Sequence, residues 1–212
     1  TTQAFVDAWY RFARRVSDSR HTPAERENFD QVEREFENIA GAIRLAARVD
    51  RSLASGLIAH LFRACQRRGY LYDAIGWIED GSLLDDSDEI TSESTALRLA
   101  ACVLYAGVGR YPLSQRYGEQ ALARVTASSA DEVSIHVALA HTCLLQSEWP
   151  AGAMYARRGL TTALAICDER GELDARILLS MLDHRSGRYG EAQTHAARAR
   201  DICVRRGIEM PH

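Results

Sequence analysis

Apolar residues along the chain recur with helical spacing from one end to the other. From Gln3 to Ser19, Phe5, Trp9, Phe12, Ala13 and Val16 fall at i, i+4, i+7, i+8 and i+11, one stripe of an amphipathic helix. Thr22-Pro23-Ala24-Glu25 has the form of a capping box with proline at the first helical position. A long helix is predicted to follow, to about Val49, with Phe29, Val32, Phe36, Ile39, Ala40, Ile43 and Ala47 inward. Beyond a polar break at Asp50–Ser52 the pattern becomes helix, tight turn, helix, four times over. First helices are predicted near Leu53–Arg67, Glu93–Val108, Ala130–Gln146 and Leu173–Ser186, and their partners near Tyr72–Ile78, Leu113–Thr126, Pro150–Cys167 and Tyr189–Arg206. Ser129-Ala130-Asp131-Glu132 is a second capping box. No stretch alternates with period two, so an all-α chain of about ten helices is expected.

The four tight turns share one grammar. Gly69, Gly109, Ser147 and Gly187 lead them, spaced 40, 38 and 40 residues apart. A fixed period of this size is the mark of stacked helical repeats. With the leading residues in register, the position four before holds Cys65, Tyr105, Cys143 and Asp183, and the position seven before holds Phe62, Cys102, Ala140 and Ser180. Five after come Ala74, Ser114, Gly152 and Ala192; twelve after come Gly81, Ala121, Gly159 and Ala199. Small residues at such crossings let helices approach closely. Two after come Leu71, Tyr111, Trp149 and Tyr189, expected to be buried plugs between helices.

These columns resemble the tetratricopeptide (TPR) repeat, whose pattern runs small–Tyr–Gly–x–Tyr/Phe–x–x–Ala and on to two further spaced Phe and Ala positions. Cys102, Tyr105, Gly109, Tyr111, Ser114 and Ala121 match best, then Gly187, Tyr189, Ala192, Ala196 and Ala199. The period exceeds the usual ~34 residues, and the repeat around Trp149 lacks its glycine. Upstream, Glu35-Phe36-Glu37-Asn38-Ile39-Ala40-Gly41-Ala42-Ile43-Arg44-Leu45-Ala46, followed by the run Ala64 to Glu79, is similar to the junction that opens the repeat region of bacterial STAND-type ATPase regulators; Asp73 stands where their glutamate stands. That likeness covers about residues 5–80. The resemblances imply a right-handed α-solenoid, with a helix pair at 1–50 and TPR-like repeats at about 51–90, 91–128, 129–168 and 169–212, in one continuous domain. They further imply a cytoplasmic sensor or scaffold joined to an NTPase region. A scaffolding or dimerisation domain attached to an enzyme such as a cyclase or kinase is the alternative.

In TPR arrays the first helix of each repeat lines a concave groove, at positions six, three and two before the turn. Carried onto this chain, these are Arg63, Gln66, Arg67; Val103, Ala106, Gly107; His141, Leu144, Leu145; and Met181, His184, Arg185. A small-molecule inducer, a peptide or a partner helix would set apolar groups on Val103 and Leu144 and acidic groups on Arg63, Arg67 or Arg185. In the competing reading Val103 and Leu144 simply pack against neighbouring helices.

Composition narrows the chemistry. With 212 residues, 46% of them hydrophobic, the chain can bury a sizeable core. A net charge of −3 gives no global attraction to nucleic acid or anionic lipid. All 26 basic residues are arginine, so a Walker phosphate loop, which needs lysine, is excluded. No apolar run approaches the ~18 residues a membrane span needs. The five cysteines form no Cys-x-x-Cys pair and read as small apolar packers in a reducing compartment, and no histidines pair at i, i+4 as a helical zinc site prefers. The acidic run Leu83–Glu89 lacks the glycine and distal glutamate of a calcium loop and reads as a solvated linker. No nucleophile elbow is present. The expectation is therefore no enzyme, no cofactor and no metal. The expected partners are the attached NTPase region and an occupant of the groove, with a second copy of the chain a further candidate. The first residue is Thr, so a fragment or processed chain is expected.

Overall fold

The computed structural model describes residues 2–84 and 91–208, and every regular element among them is an α-helix. There are eleven: α1 (Thr2–Asp18), α2 (Glu25–Arg34), α3 (Phe36–Val49), α4 (Arg51–Arg68), α5 (Leu71–Asp80), α6 (Ser92–Gly107), α7 (Tyr111–Leu122), α8 (Ala130–Leu145), α9 (Trp149–Ala165), α10 (Glu169–Arg185) and α11 (Tyr189–Arg206). The extra helix arises because the long predicted one breaks at Glu35, where φ is −103° and ψ 14°. Just past the break Phe36 stacks on Tyr70, with ring centroids 3.9 Å apart, and tilts against Trp77 at 5.5 Å. The predicted box at Thr22 is not a cap. α2 starts three residues later, with Ala24 as N-cap and no side-chain cap bond. The Thr22 hydroxyl instead donates to the Ser19 carbonyl, while Glu25 accepts from the His21 N–H. At Ser129 half of the predicted box forms: its hydroxyl accepts from the Glu132 N–H at 3.1 Å, while the Glu132 carboxylate accepts from the N–H of Ser128, one residue before the cap, at 2.7 Å.

All four leading turn residues are left-handed, with φ of 85° at Gly69, 76° at Gly109, 64° at Ser147 and 77° at Gly187. The turns at Gly69, Ser147 and Gly187 close their helices in the same way. The next residue's N–H donates back to the carbonyl four before the turn: Tyr70 to Cys65, Glu148 to Cys143, Arg188 to Asp183. This is the Schellman closure, which satisfies carbonyls the helix end would leave bare and needs a residue tolerant of positive φ. Cys167 and Gly207 end α9 and α11 by the same bond.

The helices gather into two compact units, 1–109 and 110–212, a division that falls inside the predicted second repeat rather than between repeats. In the first unit α4 packs against α1, α3, α5 and α6, over a core that includes Val16, Ile43, Leu57, Leu61 and Leu104. On α1, Val6 is buried while the predicted stripe residue Phe5 is 42% exposed. In the second unit each helix from α7 to α11 packs on the next, and α8 also meets α10. Val133, Ala140, Ala156, Leu179 and Leu182 are the centre of that core.

Two of the aligned columns are buried throughout: Cys65, Tyr105, Cys143 and Asp183 before the turn, and Ala74, Ser114, Gly152 and Ala192 after it. A Cβ on Gly152 would lie 2.9 Å from a Leu182 methyl and 3.2 Å from the Ala140 carbonyl, so only glycine fits that crossing. The plug column is different. Leu71, Tyr111 and Trp149 are only partly buried, and Tyr189 is 60% exposed. Each is the first residue of its helix, at the tip of a hairpin, where the partner helix has already ended. The space between helices is filled by the small residue three positions later.

Candidate functional site

The last hairpin, α10 and α11, carries a concave surface at which three of the predicted groove residues meet. Asp168 starts α10 by accepting from the Arg170 N–H at 3.1 Å, and Gly187 ends it with its left-handed turn. Between the two helices lies a concavity of about 620 Å³, lined by Ser180, Met181, His184 and Arg185 from α10 and Tyr189, Ala192, Gln193 and Ala196 from α11. Alanines at 192 and 196 leave the volume open. Met181 is 48% exposed, and the His184 ring meets Tyr189 edge-on at 5.3 Å. Arg185 is exposed and forms no ion pair with a described residue, and no carboxylate lines the concavity. Its surface thus offers apolar area beside one uncompensated cation.

The other side of α10 is held by charge. Asp183 is fully buried, and Arg188 donates to its Oδ1 twice, from Nη2 at 2.6 Å and from Nε at 3.0 Å. The backbone N–H of Arg188 also donates to the Asp183 carbonyl at 2.8 Å. Arg157 on α9 approaches Oδ1 to 3.6 Å, and Glu191 lies 3.7 Å from Arg157 and 3.5 Å from Arg188. His195 on α11 stands 3.8 Å from Oδ2. Burial lowers the His195 pKa from its ordinary value, against the opposing pull of Asp183, so the imidazole is neutral at pH 7. One carboxylate therefore ties α9, α10 and α11 together.

Of the twelve groove positions, the structure brings together Met181, His184 and Arg185 around one concavity. On α8, Leu144 packs against the core of the second unit and His141 is half-buried. In the first unit, the Arg63 guanidinium sits 5.1 Å from the Phe62 ring, and burial pulls its pKa down to about 10, which leaves it charged at neutral pH. Gln66 beside it is half-buried and Arg67 is exposed. Val103 is 7% exposed and does not line a surface. Its helix is buried on every side from Leu97 to Ala106, so the offsets from the turn select the interior residues Val103 and Ala106 there, and only Gly107 at the helix end is exposed. Sequence reasoning missed Tyr189 as a wall of the site and missed the ion network. The signal for the network was present: an aspartate in a column otherwise filled by Cys, Tyr and Cys, five residues before an arginine.

The cysteines at 65, 102, 143 and 203 are buried and unbridged, and Cys167 is exposed. Burial pushes the Cys65 thiol up to about 12, which makes it unreactive. Asp85 to Glu89 of the acidic run lie outside the described residues. Among the described residues, no three His, Cys, Asp or Glu side chains are grouped to hold a metal ion, and no helix is long and apolar enough to cross a membrane.

No family model and no curated protein matches the sequence. Among solved structures the chain is similar to BtubC (BKLC) from P. vanneervenii, with a TM-score of 0.66 and 14% identity over the whole of this chain and 94% of that one. At that identity the likeness is one of fold, and the fold is an all-α helical-repeat fold.

Proposed function

We propose that the chain is a TPR-like interaction module of a bacterial STAND-type signal-transduction regulator, which receives a partner segment or inducer between α10 and α11 and passes the event to an attached NTPase region. The observation that carries this reading is the concavity of about 620 Å³ with Met181 and Tyr189 exposed beside the unpaired Arg185. Its fitting occupant is a short segment with one apolar side chain on Met181 and Tyr189 and one carboxylate at Arg185. A guanidinium is suited to carboxylate because its planar donors match the two oxygens. Signalling then follows from population shift: an occupant that favours one arrangement of module and NTPase region stabilises it. The module carries no chemistry of its own in this reading and works in the cytoplasm.

The test is a fluorescence-anisotropy titration with short peptides that pair an apolar residue with an acidic one, against versions in which lysine replaces the acid. Acidic peptides should bind, their lysine versions should not, and Arg185→Glu should weaken binding by more than tenfold. Equal binding of both peptide sets, or no binding of any peptide or of the attached NTPase region, would sink the reading.

A further inference from the structure

The second unit has another concavity, of about 590 Å³, that shares no residue with the one between α10 and α11. One wall is apolar: Leu122 at the end of α7 and Val125 just beyond it, both half-buried. The facing wall is α9, which presents Arg157, Arg158 and Thr162. His136 of α8 lines it from the buried side, at 4% exposure.

The polar groups here differ in how far they are already engaged. Glu132, also in the lining, accepts from the Ser128 N–H at 2.7 Å and offsets the positive end of α8. Arg157 faces Asp183 and Glu191 at 3.6 and 3.7 Å. The Thr161 hydroxyl donates to the Arg157 carbonyl at 2.9 Å. Arg158, in contrast, forms no ion pair or hydrogen bond with any described residue, and it is exposed. Its charge reaches His136, where it adds to burial in lowering the imidazole pKa. His136 Nε2 is 3.8 Å from Glu132, and its buried Nδ1 makes no hydrogen bond.

We propose that this concavity binds a small organic monoanion, an apolar body ending in one carboxylate. The body lies on Leu122 and Val125, and the carboxylate takes the paired donors of Arg158. The Thr162 hydroxyl is the neighbouring hydrogen-bond donor. Its volume falls within the roughly 300 to 1,000 Å³ of small-molecule sites, in an open depression that leaves one side of the ligand to water. The charge count selects a single negative group: with one uncommitted guanidinium and Glu132 close by, a second negative charge would meet repulsion without a partner.

The probe is 3-phenylpropanoate, followed by amide and imidazole NMR shifts, with phenethylamine (a similar body, opposite charge), acetate and inorganic phosphate as comparisons. Phenylpropanoate should move the amides of 122–127 and 157–162 and the His136 ring signals saturably, and should bind more tightly than acetate or phosphate. Arg158→Gln should weaken it by more than tenfold, since a charge-assisted bidentate pair is lost. Arg44→Gln, an exposed position on α3 in the first unit, should leave it unchanged. Equal binding of phenethylamine overturns the charge assignment. Acetate or phosphate binding as tightly as phenylpropanoate overturns the apolar wall, and an unaffected Arg158→Gln variant overturns the site. The comparisons among probes use the unaltered protein, so they decide the matter even if the variant folds poorly.

Discussion

Removing Arg188 should destabilise the protein more than neutralising Asp183, although the two residues form one pair. Asp183 is fully buried, whereas the Arg188 side chain is 38% exposed. Without its guanidinium, Asp183 loses both short hydrogen bonds and keeps only Arg157 at 3.6 Å and His195 at 3.8 Å. Breaking a fully buried ion pair costs about 3–5 kcal/mol. Water reaches Arg188 and Arg157 remains nearby, so Arg188→Ala should cost about 2–3 kcal/mol. Asp183→Asn keeps an oxygen that still accepts from Arg188, and water reaches the partly exposed guanidinium to offset the lost charge, so its cost should be about 1–1.5 kcal/mol. Replacing both with leucine should cost clearly less than the sum of the two single losses, because no charge is left stranded. Urea unfolding at pH 7, with a common slope for all variants, gives the order directly. An Arg188→Ala midpoint indistinguishable from the parent, or an Asp183→Asn loss larger than that of Arg188→Ala, would refute the account of Asp183 as a buried charge held by its neighbours.

The turn glycines offer a cleaner test of backbone strain. A Cβ on Gly109 would meet nothing within 4 Å, so Gly109→Ala should cost about 1–2 kcal/mol through its left-handed φ alone, whereas Ser147→Gly should gain up to about 1 kcal/mol; the same sign for both in urea midpoints would contradict the turn geometry. Tyr189→Ala should cost less than about 1 kcal/mol, because the ring is 60% exposed, yet it should reduce peptide binding between α10 and α11; a large fall in melting temperature would mean that the ring is buried after all. Burial lowers the pKa values of His60, His136 and His195. The unfolded chain therefore takes up protons near pH 6.5 that the folded chain refuses, and stability should fall as pH drops from 7.5 through 6.5 towards the lowered values. Urea midpoints at pH 7.5, 6.5 and 5.5 check this, and a flat or rising series would count against it.

The turns were legible because their chemistry is local. A helix that ends in a left-handed residue needs glycine or a small polar substitute, and three glycines and a serine at near-equal spacing announce that requirement. The same closure at Cys167 passed unnoticed, since cysteine is no ordinary signal for positive φ. The break at Glu35 was equally silent: no glycine or proline stands there, and both flanking segments are good amphipathic helices. What decides that break is tertiary, namely the seat that Tyr70 and Trp77 offer to Phe36.

The candidate site divides along the same line. Met181, His184 and Arg185 were found because α10 is the first helix of the last hairpin, and its outward face stays free for the offset rule to read. On α6 the same rule returned Val103, because ten successive residues of that helix are buried and no outward face remains. An offset from a turn fixes where a residue lies around its helix; whether that direction is solvent or protein depends on what packs there. Asp183 obeys both rules at once. Its column says that it faces inward, and its charge says that inward cannot be apolar, so partners must converge on it from neighbouring elements. That is what Arg157, Arg188 and His195 do. A charged residue in a buried column is therefore the one place where this sequence, read by position and by chemistry together, predicts tertiary contacts rather than local structure alone.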